Sequence, residues 1–144
     1  GVGLTPCSLP QTGKPSFELE ENEMEIGLGH HGEPGVEKGV LKSADEVAER
    51  LVNDILEDMP IEKGDRVAVL VNGLGSTTQM ELYIMFRRVE QILSKKGIDI
   101  FRSYVGNYST SLEMGGCSVT LTKVDNEMEQ LIDFPADCPM YVQV

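Results

Sequence analysis

The chain has two histidines, His30 and His31, and they are adjacent within Gly29-His30-His31-Gly32-Glu33-Pro34-Gly35. Near neutral pH an imidazole can act as a nucleophile, a general base or a metal ligand. The surrounding glycines let the chain turn sharply and let a ligand approach, and Pro34 restricts the loop, so the segment can hold an imidazole in one orientation. His30, His31 and Glu33 place three ligating side chains within four residues. Neighbours on an extended segment point to opposite faces, however, and no second His/Cys cluster supplies the remaining positions, so no metal is expected. Residue types alone leave two readings open, a functional histidine and an exposed loop pair, and do not tell His30 from His31.

Two further segments are rich in glycine. Asn72-Gly73-Leu74-Gly75 follows an apolar run and precedes a helix start, where backbone N–H groups can cradle an anion. It lacks the Lys-Ser/Thr ending of a phosphate loop and the full dinucleotide spacing, which favours a tight turn without ligand. Thr110-Ser111-Leu112-Glu113-Met114-Gly115-Gly116 reads as a turn leading into a strand. Met80, Met85, Met114 and Met128 read as core filler.

The elements that must position these segments follow from periodicity. Ser16–Glu20 and Met24–Leu28 read as two short strands around Glu21-Asn22-Glu23, which places the histidines on a loop at a strand end. Ser43 with Glu46 forms a capping box, and Val47, Leu51, Ile55 and Met59, widened by Val52 and Leu56, predict an amphipathic helix closed by Pro60 and Gly64. Arg66–Val71 is an unbroken apolar run suited to a strand buried on both faces. Thr78 with Glu81 opens a second helix, carrying Leu82, Phe86, Val89 and Leu93 and ending near Gly97. Ile98–Val105 predicts a strand, and Cys117, Val119 and Leu121 alternate with Ser118, Thr120 and Thr122 in another. Asp125 caps a short helix through Ile132, and Tyr141–Val144 reads as an edge strand. Strands alternating with helices indicate an α/β fold.

The 144 residues are enough for one domain with its own core, and a composition 40% hydrophobic and 25% charged is that of a globular chain. No apolar run approaches a membrane span. A formal charge of −12 argues against nucleic acid and anionic membrane surfaces as partners. Cys7, Cys117 and Cys138 show no CxxC spacing and follow no signal-like segment, so free thiols in a cytoplasmic setting are expected. The absence of a starting Met and the Gly/Pro-rich stretch from Gly1 to Pro15 suggest a fragment.

Four blocks occur in order: Gly1-Val2-Gly3-Leu4 with Cys7-Ser8-Leu9-Pro10, Glu25 through Gly35, Val71 through Gly75, and Thr110 through Gly116. Together they resemble the C-terminal half of the dihydroxyacetone kinase K subunit, the substrate-binding subunit, over nearly the whole chain. The resemblance implies an α/β domain spanning 1–144, a mixed β-sheet flanked by helices that is the second domain of that fold, with 1–15 an irregular lead-in from a missing N-terminal domain. It implies that His31, directly before Gly32-Glu33-Pro34-Gly35, captures dihydroxyacetone as a covalent hemiaminal, supported by Gly29, Gly32 and Glu33. Glycerol lacks a carbonyl and cannot be held in this way. It further implies a homodimer, with catalytic groups in the N-terminal half. The chain itself would carry no cofactor or metal; ATP or ADP with Mg would sit on a partner L subunit or domain, recharged by ATP or by a phosphotransferase-system protein. The fragment alone is then expected to be inactive. A dihydroxyacetone-sensing coactivator, or a kinase for a short ketose such as erythrulose, are the alternatives the resemblance leaves. His30 stands where the family usually has a branched aliphatic residue, and Gly73 where many members have a second Asn.

Overall fold

The computed structural model describes residues 1–29, 33–139 and 141–144. Among them, six strands form a mixed sheet in the order β3-β2-β1-β6-β4-β5, composed of β1 (Val2–Thr5), β2 (Glu23–Ile26), β3 (Glu37–Val40), β4 (Arg66–Gly73), β5 (Asp99–Gly106) and β6 (Gly115–Val124). Only β4 and β5 pair in parallel, and the helix between them supplies the crossover such a pair needs. Helices α1 (Ala44–Asp58) and α2 (Gln79–Lys96) cover one face, while the short α3 (Asn126–Ile132) lies against β6. A separate hairpin joins β7 (Ala136–Cys138) and β8 (Tyr141–Gln143). This is the expected α/β architecture, a mixed sheet flanked by helices. No helix among the described residues is long and apolar enough to cross a membrane.

Local chemistry explains the helix bounds. Ser43 and Glu46 cap α1 reciprocally, Thr78 and Glu81 do the same for α2, and Gly97 ends α2 at φ 73°, in the left-handed region. Asp125 caps α3 by accepting the Met128 N–H at 2.8 Å. The main core lies between the sheet and the two long helices. Val67, Val69 and Val71 from β4 meet Cys117, Val119 and Leu121 from β6, Val47, Leu51 and Val52 from α1, and Leu82, Val89 and Leu93 from α2. Strand β4 is flanked by β6 and β5, as its unbroken apolar run requires.

Four expectations change. Within the lead-in 1–15, Val2–Thr5 is a strand between β2 and β6, made possible because Gly116, at φ 140°, has no Cβ to strike the Val2 carbonyl. Ser16–Glu20 forms no strand; its Phe17 packs on a small apolar cluster instead. The partner of β2 is β3, whose sequence Glu-Lys-Gly-Val lacks alternation. Of the four methionines read as core, Met85 and Met114 are buried but Met80, 70% exposed, and Met128 are not.

Candidate functional site

The histidine segment lies in the connection of an antiparallel hairpin. Residues 27–36 join β2 to β3, whose first rung pairs Ile26 with Glu37. Gly27, at φ 81°, turns the chain out of β2. The Val36 N–H then donates to the Ile26 carbonyl (2.8 Å) and the Gly29 N–H to the Glu33 carbonyl (3.0 Å), so both limbs are tied. A Cβ on Gly29 would collide with the Glu33 side chain, and one on Gly35 would lie 2.5 Å from the Ile26 oxygen. Two of the expected site residues, Gly29 and Glu33, are thus brought together at the neck of the loop. The other two, His31 and Gly32, lie outside the described residues, as does His30.

The return limb is also held from below. The Gly35 N–H donates to Glu25 Oε1 at 2.5 Å. Glu25 sits on β2 between Met24 and Ile26, which face the main core, so its side chain occupies the opposite face and is 4% exposed. Across the ladder, Lys38 Nζ stands 3.8 Å from Glu25 Oε2 and donates to the Glu18 carbonyl at 2.9 Å.

The four sequence blocks meet in space. Cys7, Leu28, Leu74 and Met114, one residue from each, form a second buried apolar cluster covered by Phe17. Leu28 is the last buried residue before the histidine loop, and a Cβ on Gly3 would lie 2.8 Å from its Cδ2. Leu28, at the start of the loop, is therefore packed on the turns after β4 and before β6.

Those turns are locked to each other. The Ser111 N–H donates to the Leu74 carbonyl (2.8 Å), the Leu74 N–H to the Gly116 carbonyl (3.2 Å) and the Ser76 N–H to the Met114 carbonyl (3.1 Å). Thr77 Oγ1 donates to the Gly116 carbonyl at 2.7 Å and accepts the Gly116 N–H at 2.8 Å. Gly75, at φ 132°, passes so close to the Leu112 carbonyl that no side chain fits. The buried Asn72 amide accepts N–H groups from Tyr108 and Ser109, each at 2.9 Å, and donates to the Ser109 carbonyl at 2.7 Å. The Ser8 N–H donates to Glu113 Oε1 at 2.8 Å, and this backbone donor holds the Glu113 carboxyl below its ordinary pKa. With the Leu74 and Ser76 N–H groups committed to carbonyls and α2 capped by its own Thr78 and Glu81, Asn72–Gly75 is a structural βα turn rather than an anion cradle.

Sequence reasoning did not single out Glu25 or the clamp made by Asn72. The alternation of β2 places Glu25 opposite the core, but only the folded loop shows that this second face is covered too. For Asn72, a polar residue ending an apolar strand was the available signal.

Residues 1–140 match the Dak1 domain family. The chain is 45% identical over 141 residues to the dihydroxyacetone-binding subunit DhaK of PTS-dependent dihydroxyacetone kinase 2 from Listeria innocua, covering 98% of this chain and 43% of that protein. It is 39% identical over 145 residues to the L-erythrulose kinase of Pectobacterium atrosepticum, covering 98% of this chain and 25% of the relative. Among solved structures, a dihydroxyacetone kinase operon co-activator superposes with a TM-score of 0.80 at 34% identity, over 93% of this chain and 42% of the other. The chain thus spans less than half the length of these relatives. It belongs to the Dak1 domain family and resembles the dihydroxyacetone-binding subunits within it.

Proposed function

We propose that this chain is the ketone-binding part of a dihydroxyacetone kinase, with His31 as the residue that captures the substrate. The Nε2 lone pair of neutral His31 adds to the carbonyl carbon, the C=O π bond opens, and the oxygen takes a proton as Nδ1 gives one up. No atom leaves, so the adduct contains the whole substrate, held with a hydroxyl oriented for phosphorylation. Glu33, beside Gly29 at the loop neck, is the proposed acceptor for the Nδ1 proton, with Gly29 and Gly32 as proposed loop supports. The nucleotide, ATP or ADP with Mg, would sit on a partner L subunit or domain and the remaining catalytic groups in a further half of the protein, so this chain alone would transfer no phosphate.

The observation that supports this reading is the convergence of the four blocks through Cys7, Leu28, Leu74 and Met114, which packs Leu28, two residues before the first histidine, on two locked turns. Preorganisation of that kind is what orienting a captured substrate demands. The test is intact-mass measurement of the full-length protein with dihydroxyacetone. One whole added substrate molecule is expected, abolished by His31→Ala and retained in His30→Ala. An adduct that persists without His31 refutes the assignment.

Two variants of the reading rest on the relatives. The L-erythrulose kinase favours a four-carbon ketose as substrate, which the same capture chemistry accepts. The operon co-activator favours a ligand-sensing role without phosphoryl transfer. Adduct formation with each ketose, and phosphoryl transfer by the full protein with its nucleotide-bearing partner, separate the three.

A further inference from the structure

We infer that Glu25 is a positioning residue for the histidine loop, acting through the Gly35 N–H; this deepens the capture reading above and rests on it. A carboxylate on a short strand normally faces water, because burying a charge costs several kcal/mol unless it is paired. Glu25 is 4% exposed, one oxygen accepts the Gly35 N–H at 2.5 Å, and the other has no hydrogen-bond partner among the described residues. Among the described residues, Lys38 Nζ forms a long ion pair with that oxygen at 3.8 Å while donating to the Glu18 carbonyl. Stability alone does not account for this arrangement, since an apolar residue would fill the site without burying a carboxylate whose second oxygen has only a long ion pair.

What the carboxylate does accomplish is local and specific. Gly35 lies four residues beyond His31 and two beyond Glu33, on the limb that returns to β3. Its N–H faces Glu25, and a Cβ on it would press 2.6 Å from Glu25 Cγ and 2.5 Å from the Ile26 oxygen. The limb is therefore pressed directly onto the Glu25 side chain. Glu25 itself is fixed by the ladder, between Gly3 on β1 and Lys38 on β3. A charge-assisted hydrogen bond from a strand to a loop holds that loop more rigidly than a neutral one. The neck bond joins Gly29 to Glu33, and the Glu25–Gly35 bond ties the return limb to β2.

The test compares Glu25→Gln, which keeps an oxygen for the Gly35 N–H, with Glu25→Ala, which does not. Adduct formation is followed by intact mass against time and dihydroxyacetone concentration in the full-length protein, with a melting curve for each variant. Glu25→Ala should slow covalent capture at saturating ketone by about tenfold, the factor equivalent to one lost hydrogen bond of about 1.4 kcal/mol. Glu25→Gln should stay within about twofold of wild type, whereas Glu25→Met, which fills similar space without an acceptor for the Gly35 N–H, should fall as far as Glu25→Ala, a loss that a merely space-filling role would not give. Amide hydrogen exchange at Gly35 gives a second readout that needs no capture: protection should fall in Glu25→Ala and persist in Glu25→Gln. Unchanged capture and unchanged Gly35 protection in Glu25→Ala, or equal loss in Glu25→Ala and Glu25→Gln, overturns the inference. If wild type forms no adduct, the capture reading fails by itself, and the exchange at Gly35 still decides whether Glu25 holds the loop.

Discussion

Replacing Asn72 by Ala should cost about 3 kcal/mol of folding stability, because one buried amide satisfies three backbone groups of the β5–β6 connection. Asn72 is 2% exposed; its Oδ1 accepts from Tyr108 N and Ser109 N, both at 2.9 Å, and its Nδ2 donates to Ser109 O at 2.7 Å. A hydrogen bond contributes roughly 1 kcal/mol net, and stranding a buried partner costs 1–3 kcal/mol, so three bonds with partial rehydration give about 3 kcal/mol. For a domain of this size that is a fall in Tm of on the order of 10 °C. Asn72→Asp should be no milder, since it replaces the donor to Ser109 O with an acceptor at hydrogen-bond distance and buries a charge. Urea denaturation should show a lower midpoint at an unchanged slope, and hydrogen exchange should quicken at Tyr108 and Ser109 before it does in α1 or α2. A loss below about 0.5 kcal/mol in Asn72→Ala would refute the reasoning, because the bonds made by Ser111, Ser76 and Ser8 would then suffice to hold the connection without Asn72.

Acid stability should reflect the second capping box. Glu81 is held below its ordinary pKa of 4.5, first by the Thr78 backbone N–H and then by the Thr78 hydroxyl. The charged form is favoured by folding, so its contribution is complete above 4.5 and is lost as pH falls through the lower folded value. Glu81→Gln should lose roughly half a kcal/mol near neutrality, little because the site is exposed, and should flatten the acid limb of a stability profile; an unchanged limb contradicts the assignment. Thiol reactivity should separate the cysteines. Cys138 is exposed, Cys7 and Cys117 are buried, and burial pushes the Cys117 thiol up to about 11. At about pH 8, alkylation of the folded protein should label Cys138 alone, with Cys7 and Cys117 reacting only on unfolding; mass mapping that finds early Cys117 label would contradict the burial.

The helices were legible because their limits are written in neighbouring residues: Ser43 with Glu46, Thr78 with Glu81, and Gly97 each act within one turn. The central strands β4 and β6 were legible from unbroken and alternating apolar runs. Strand β1 was not, since its four residues include a glycine, Gly3, and its pairing depends on Gly115 and Gly116, more than a hundred residues away. Strand β3 was not either, because an exposed edge segment takes its conformation from the ladder with β2 rather than from a pattern of its own. The loop's glycines were visible, but the reason for them is tertiary: Gly35 is pressed by Ile26 and Glu25, Gly75 by Leu112. Glu25 illustrates the limit most clearly. Period two correctly sets it opposite Met24 and Ile26, and a strand considered alone sends that face to water. Gly35 on the loop's return limb instead packs against that buried side chain and donates to it, so a local rule fails at the place where the limb is tied to β2. A buried carboxylate on the strand that launches the loop is therefore better explained by the loop it holds than by the sheet it belongs to.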